Sequence, residues 1–260
     1  MSTTKLLLVV TFMAALLSLS ACSVGQASGT LGQLQAVAST CPKEHIAAYV
    51  ADDVSANDRS AALTAQRLQE IKALATFTAA CGGYLEVTAF SASDTATRVI
   101  YSGQLEPFGA TLTSRLLKVP SLVESAMQTI TTALPRASAE LPANATDVLA
   151  QLTLVAQYME QIGPGYRFYG QVLTSGLQST GVLVTNVNLS QAAALDLANR
   201  VAVPSLPAAA LTISGIGLVA SGPPAPSGYV AALLAFYHRV CLRTRASSCT
   251  VTVNPIIRGS

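Results

Sequence analysis

Charge is scarce in this sequence. Only 11% of its 260 residues are Asp, Glu, Lys or Arg, and they sum to a formal +2. A chain so close to neutral has no basic surface for a nucleic-acid backbone, so nucleic acid is not an expected partner. Histidine occurs twice, at His45 and His238. Each has one cysteine nearby, Cys41 and Cys241, but no two cysteines have CxxC spacing, so the paired-cysteine pattern of a zinc site is missing. The chain also lacks a GxSxG elbow, a Walker A loop and an HExxH pair. Gly215-Ile-Gly217-Leu-Val-Ala220 formally matches GxGxxA, but Gly222-Pro-Pro-Ala-Pro226 stands where a pyrophosphate-binding helix should begin. A Ser-His-Asp hydrolase would have to use His45 or His238, and each is expected as a capped or core histidine. A pair of glycosidase-like carboxylates stays open, although most of the acids are scattered over expected helices. No short motif points to catalysis.

What the chain has is apolar. Hydrophobic residues make up 51% of it, enough for one sizeable core of about 220 residues. Lys5 and the apolar run Leu6 to Leu17 open the sequence, a run too short to span a bilayer comfortably. Leu19-Ser20-Ala21-Cys22 then resembles the lipobox of bacterial lipoprotein signal peptides. The resemblance implies a signal peptide over residues 1–21, a lipid such as palmitate on Cys22, and a membrane-anchored chain on the extracytoplasmic face. A non-lipidated secretory peptide is the alternative. Loss of Lys5 with the leader would take the formal charge from +2 to +1. Residues 22–40, without charge and rich in small side chains, read as a flexible tether. Four cysteines remain, Cys41, Cys81, Cys241 and Cys249, an even number suited to an oxidising compartment and open to three pairings.

The folded part is read as one domain over residues 41–257, with no internal repeat. Ile46 to Val50 is a short apolar run that ends in Asp52 and Asp53 and then in small oxygen-bearing residues, the pattern of a buried parallel strand that delivers polar groups to a loop. Asp58 to Ala80 reads as a helix, with Leu63, Leu68, Ile71, Leu74 and Phe77 inward and Arg67, Glu70 and Lys72 on a solvated side. Tyr84 to Phe90 and Thr97 to Tyr101 make an antiparallel hairpin. Residues 121–134 are expected as a helix with a Ser121/Glu124 capping box, closed by Pro135. Another follows the Pro142 to Asp147 loop and stops at Gly163-Pro164-Gly165. Tyr166 to Thr174 is a strand, and Gly181 to Asn188 a short strand or an ordered loop. Gln191 to Val201 is a helix, Ala209 to Ser214 a buried strand and residues 215–228 a Gly/Pro-rich loop. The last helix carries Val230, Leu233, Leu234, Tyr237 and Cys241, and Thr250 to Val253 is the final strand. That order implies a three-layer, Rossmann-like α/β sandwich on a mostly parallel sheet with one antiparallel edge strand.

Over residues 45–254 the element order resembles the von Willebrand factor type A (VWA) domain. Asp53-Val-Ser55-Ala-Asn57 is similar to that family's DxSxS signature, Thr146 to its metal-site threonine, and Ser175-Gly176 lies where the family has Asp-Gly. The closing GPPAPSGYVAALLAFYHRVC also looks like the last loop and helix of bacterial lipoproteins with such a domain. The resemblance implies a divalent cation, Mg²⁺ or Mn²⁺, held at a MIDAS-like site by Asp53, Ser55, Asn57, Thr146 and Ser175. Through one open coordination position the ion would grip a protein or cell-envelope partner. Asn57 departs from serine and Ser175 from an acid, which weakens or empties the site; Asp52 or Asp147 could compensate. Singly, each of these residues also suits an N-cap or turn, and Asp52, Asp58 and Asp147 suit helix starts. The expected fold favours the pairs Cys41–Cys81 and Cys241–Cys249, at the end opposite the rim formed by loops 52–60, 143–148, 175–181 and 215–227. The implied role is a lipid-anchored adhesion module without enzymatic activity. A solute-binding or hydrolytic domain on the same rim and a metal-free structural subunit are the alternatives.

Overall fold

A computed structural model of the chain describes residues 29–256. The expected leader 1–21, the lipid site Cys22, residues 23–28 of the tether and residue 257 lie outside the described residues.

The central strand β1 (His45–Asp53) is buried from Ile46 to its end. Alternate side chains enter two different cores, Ala47, Tyr49 and Ala51 on one face and Ile46, Ala48 and Val50 on the other. That period of two explains an apolar run without polar alternation, since both faces of the strand are covered. Six strands form one sheet in the order β3-β2-β1-β4-β5-β6, the others being β2 (Gly83–Phe90), β3 (Thr97–Leu105), β4 (Tyr166–Leu173), β5 (Ala209–Ser214) and β6 (Ser248–Thr252). All pairs are parallel except β2 with β3. The fold is therefore the expected Rossmann-type sandwich with one antiparallel edge.

Two helical layers enclose the sheet. On the Ala47 face lie α5 (Val148–Ile162), α6 (Gln191–Arg200) and α7 (Ser227–Arg243). On the Ile46 face lie α1 (Thr30–Ser39), α2 (Ala61–Cys81), α3 (Leu112–Leu116) and α4 (Val119–Glu140). Because the strands run parallel, β1, β2, β4, β5 and β6 release their chains at one rim, where ligands of open α/β sheets bind. The disulfides Cys41–Cys81 and Cys241–Cys249 have formed, with Cα separations of 5.4 and 6.0 Å. Both lie at the other end of the strands.

Several expectations need correction. Residues 30–39, read as flexible tether, form α1, because Leu34 reaches the core beside α2 and Cys41 pins the helix exit. The helix expected from Asp58 starts at Ala61: Ser60 caps it by accepting from the Leu63 N–H at 3.2 Å, and residues 56–58 form a 3-10 turn. The Ser121/Glu124 capping box is absent. The helix begins two residues earlier, and Ser121 Oγ donates to the Lys118 carbonyl at 3.0 Å. Pro135 lies inside α4 rather than closing it. An interior proline costs about 3 kcal/mol, which the burial of Leu134, Ala137 and Leu141 offsets. Residues 181–188, read as a short strand or an ordered loop, form a loop. His45 and His238 are both exposed, neither cap nor core. No helix among the described residues is long and apolar enough to cross a membrane.

Candidate functional site

The carboxyl end of β1 carries two buried acids, Asp52 and Asp53. Asp53 is held on both oxygens. Its Oδ1 accepts from the Ser55 N–H at 2.9 Å, and its Oδ2 from the Thr174 hydroxyl at 2.8 Å. Thr174 follows β4, the strand beside β1, so adjacency in the sheet brings them together. Asp58, on the 3-10 turn, is equally enclosed. Its Oδ1 accepts from the Ser175 N–H at 2.7 Å, and its Oδ2 from the hydroxyls of Ser175 at 2.7 Å and, more weakly, Ser55 at 3.4 Å.

Into this cluster reaches Arg67 from α2, itself 4% exposed. One guanidinium nitrogen donates to the Asp53 carbonyl at 2.5 Å and to Asp52 Oδ1 at 3.3 Å. The other pairs with Asp58 Oδ1. One turn along α2, Glu70 Oε2 accepts from Ser214 Oγ at 2.7 Å, Gln171 Nε2 at 3.0 Å and the Ile256 N–H at 3.0 Å. It thereby ties β4, β5 and the segment after β6 to the helix.

The electrostatics follow from burial. Desolvation pushes the Asp52 carboxyl up to about 6; Arg67 opposes this and Asp58 adds to it. Asp53 is raised well above the usual carboxylate range, first by burial and then by the charge of Asp58. Burial works against the Arg67 charge, but Asp58, Asp52 and Asp53 together hold it above its ordinary value. Glu70 is raised by burial, against the pull of its three hydrogen-bond donors.

The remaining rim loops interlock by backbone and amide bonds. Thr146, 1% exposed, donates its N–H to Ser179 Oγ at 2.8 Å and accepts the Ser179 N–H at 3.0 Å. Gln178 Oε1 takes the Val148 and Leu149 N–H groups at the start of α5, while Asp147 caps the same helix through the Ala150 N–H at 3.1 Å. The Ala220 N–H donates to the Asn57 carbonyl at 2.6 Å, and the Gly217 N–H to the Ser175 carbonyl at 2.8 Å. Gly217 and Gly176 both have positive φ, and a Cβ on either would meet a side chain closer than 3.0 Å. These turns need glycine.

Of the five residues expected at a metal site, the structure joins Asp53, Ser55 and Ser175 in one network. Thr146 shares the rim through Ser179, and Asn57 is exposed. Sequence reasoning weighed Asp58 as either a helix-start acid or a ligand, and it did not find Arg67 and Thr174 as members. Arg67 and Glu70, read as solvated, are buried. The available signal was their spacing with Ile71, Leu74 and Thr78, the stripe of α2 that faces the sheet.

A cavity of about 340 Å³ opens beside the cluster, between the β1 exit, the start of α2 and Pro135 of α4. Arg59 is among the residues that line it and donates to the carbonyls of Val54 and Ser138. The donor set does not fit a divalent cation. Such an ion needs several oxygens turned toward one point. Here every oxygen of Asp53 and Asp58 already accepts a protein N–H or O–H, the Ser55 and Ser175 hydroxyls donate to Asp58, and Arg67 supplies positive charge. Among the described residues no group of three or more His, Cys, Asp or Glu is arranged to hold a metal ion.

No protein-family model and no curated protein matches this chain. Solved structures similar to it include proximal thread matrix protein 1 (PTMP1) from the mussel byssus, at 14% identity and a TM-score of 0.44, covering 81% of this chain and 43% of that one. A second crystal form of that protein gives 13% identity and a TM-score of 0.42. A von Willebrand factor type A structure from Catenulispora acidiphila is 15% identical with a TM-score of 0.40, covering 82% of this chain and 39% of that one. The chain spans less than half the length of each. Likenesses this distant bear no functional weight. The α/β class rests on the strand order and its single antiparallel pair.

Proposed function

We propose that this protein is a binding module, anchored by a lipid on Cys22 to the extracytoplasmic face of a membrane, which holds a protein or cell-envelope component on its strand-end rim. The supporting observation is the character of the rim loops. Residues 174–190 and 215–226 contain no charged side chain, and they expose Leu183 at 60% and Val187 at 55%. Hydrogen bonds from Ser175, Gln178, Ser179, Gly217 and Ala220 fix the same loops from beneath. A rigid, uncharged surface with apolar points suits contact with a macromolecule, since little order is lost on binding. The module is not an enzyme: His45 starts β1 at the end remote from Asp53, and the rim acids and hydroxyls are engaged with one another. Partner capture proceeds without a divalent cation.

A photo-crosslinking residue placed at Asn57 or Val187 in the cell envelope should give a discrete adduct that persists in chelator. The same residue at Lys43, exposed at the opposite end, should give none. Adducts from Lys43 alone would refute the rim as the binding surface. Cys22→Ser should abolish incorporation of a palmitate analogue and release the chain from the membrane; continued labelling would refute the anchor.

A further inference from the structure

The rim cluster places three acids, Asp52, Asp53 and Asp58, around a single guanidinium. We infer that Arg67 is a built-in counter-ion that stands where a dissociable cation would otherwise be needed, closing the cluster to divalent ions and holding the rim loops in one arrangement whatever the cation supply. The inference concerns the rim proposed above to bind a partner, but it rests on the donor set alone.

Three features carry it. First, the guanidinium bridges rather than merely pairs: it meets Asp52 and Asp58 and also the main-chain carbonyl of Asp53. A planar fork can serve these three acceptors at once, whereas an ammonium is a point charge. Second, the acid that it engages most directly, Asp58, is the one that fixes the neighbouring loop, through both the N–H and the hydroxyl of Ser175. Charge balance at Asp58 and the position of the β4 loop are thus one structural fact. Third, the cation is covalently part of α2, a helix capped by Ser60 and tied to β4 and β5 through Glu70. It cannot dissociate while the fold persists. The carboxylates of Asp53 and Asp58 and the hydroxyls of Ser55 and Ser175 are turned toward one another and toward protein donors rather than toward a common point.

The test is thermal unfolding of the full chain in chelator and then with Mg²⁺, Mn²⁺ or Ca²⁺ at millimolar concentration, with calorimetric titration of Mn²⁺ alongside. The melting temperature should not move and no saturable heat should appear. Arg67→Met should lower the melting temperature by many degrees, and Arg67→Lys should fall between it and the wild type. Adding Asp58→Asn to Arg67→Met should recover much of the loss, because the double variant removes one charge of each sign. Saturable Mn²⁺ binding to the wild type that Asp53→Ala abolishes would overturn the inference. So would a double variant no more stable than Arg67→Met. If Arg67→Met does not fold, the wild-type titration and the double variant still decide the matter, and neither needs the binding partner.

Discussion

The two ends of the sheet are secured in different ways. At the end where β1, β4 and β5 begin, Cys41–Cys81 fastens the end of α2 to the segment before β1, and Cys241–Cys249 fastens α7 to β6. The same end carries half-buried tyrosines such as Tyr84 and Tyr166. At the rim no covalent link exists among the described residues. Buried acids, one arginine and a set of hydroxyls hold the loops instead. A disulfide acts mainly by restricting the unfolded chain. The rim cluster acts within the native state, through charges that only the folded protein desolvates. The first should respond to reductant and the second to charge and pH.

The largest effect is expected at the rim. Removing Arg67 leaves buried carboxylates without their cation, and breaking such a pair costs about 3–5 kcal/mol. Urea unfolding of Arg67→Met should show a loss of that size, insensitive to reductant. At the opposite end the effect depends on the loop closed. Opening Cys41–Cys81, with a sequence separation of 40, should cost about 4 kcal/mol, and opening Cys241–Cys249, with a separation of 8, about 2.5 kcal/mol. Cys-to-Ser pairs measured under non-reducing conditions would check the order. Equal losses would show that loop length does not govern this end.

The pH response separates the ends further. Asp52 rises from 3.8 to about 6 on folding, chiefly by desolvation, so the native state binds its proton more tightly than the unfolded chain does. Its contribution is therefore most favourable below pH 4 and declines as pH rises to about 6. At about 1.4 kcal/mol per pH unit the decline totals about 3 kcal/mol. Asp53 is shifted in the same direction and adds to the slope. Asp52→Asn should flatten part of it in unfolding free energies measured from pH 4 to 7, whereas variants of the disulfides should keep it. The smallest effect is local: Asp147→Ala removes the α5 cap and should cost about 1 kcal/mol, visible as a shift in denaturant midpoint with little change in slope.

How much of this was legible depended on distance along the chain. β1 could be read because an uninterrupted apolar run of strand length has to be covered on both faces, and β5 matched its expected bounds for the same reason. Asp53 could be placed at the rim because the run ends there. Arg67 and Glu70 could not, since a hydrophobic stripe assigns charged residues to the solvent side. What buries them are partners far off in sequence, Ser214 lying 144 residues beyond Glu70. α1 escaped notice because its own periodicity is weak; Leu34 and the disulfide that follows it supply its stability through tertiary contacts. Thr146 was placed at the rim correctly, but the helix cap is the adjacent Asp147, whose side chain accepts from Ala150.

The most direct measurement is a double-mutant cycle between Arg67 and Asp58, read from urea unfolding of the wild type, Arg67→Met, Asp58→Asn and the combined variant. If the guanidinium balances the acid as a resident cation would, the two substitutions should be coupled by about 2–3 kcal/mol, with the combined variant more stable than the sum of the single losses allows. Additive losses would mean that Arg67 only packs beside the cluster, and that the rim is not balanced from within.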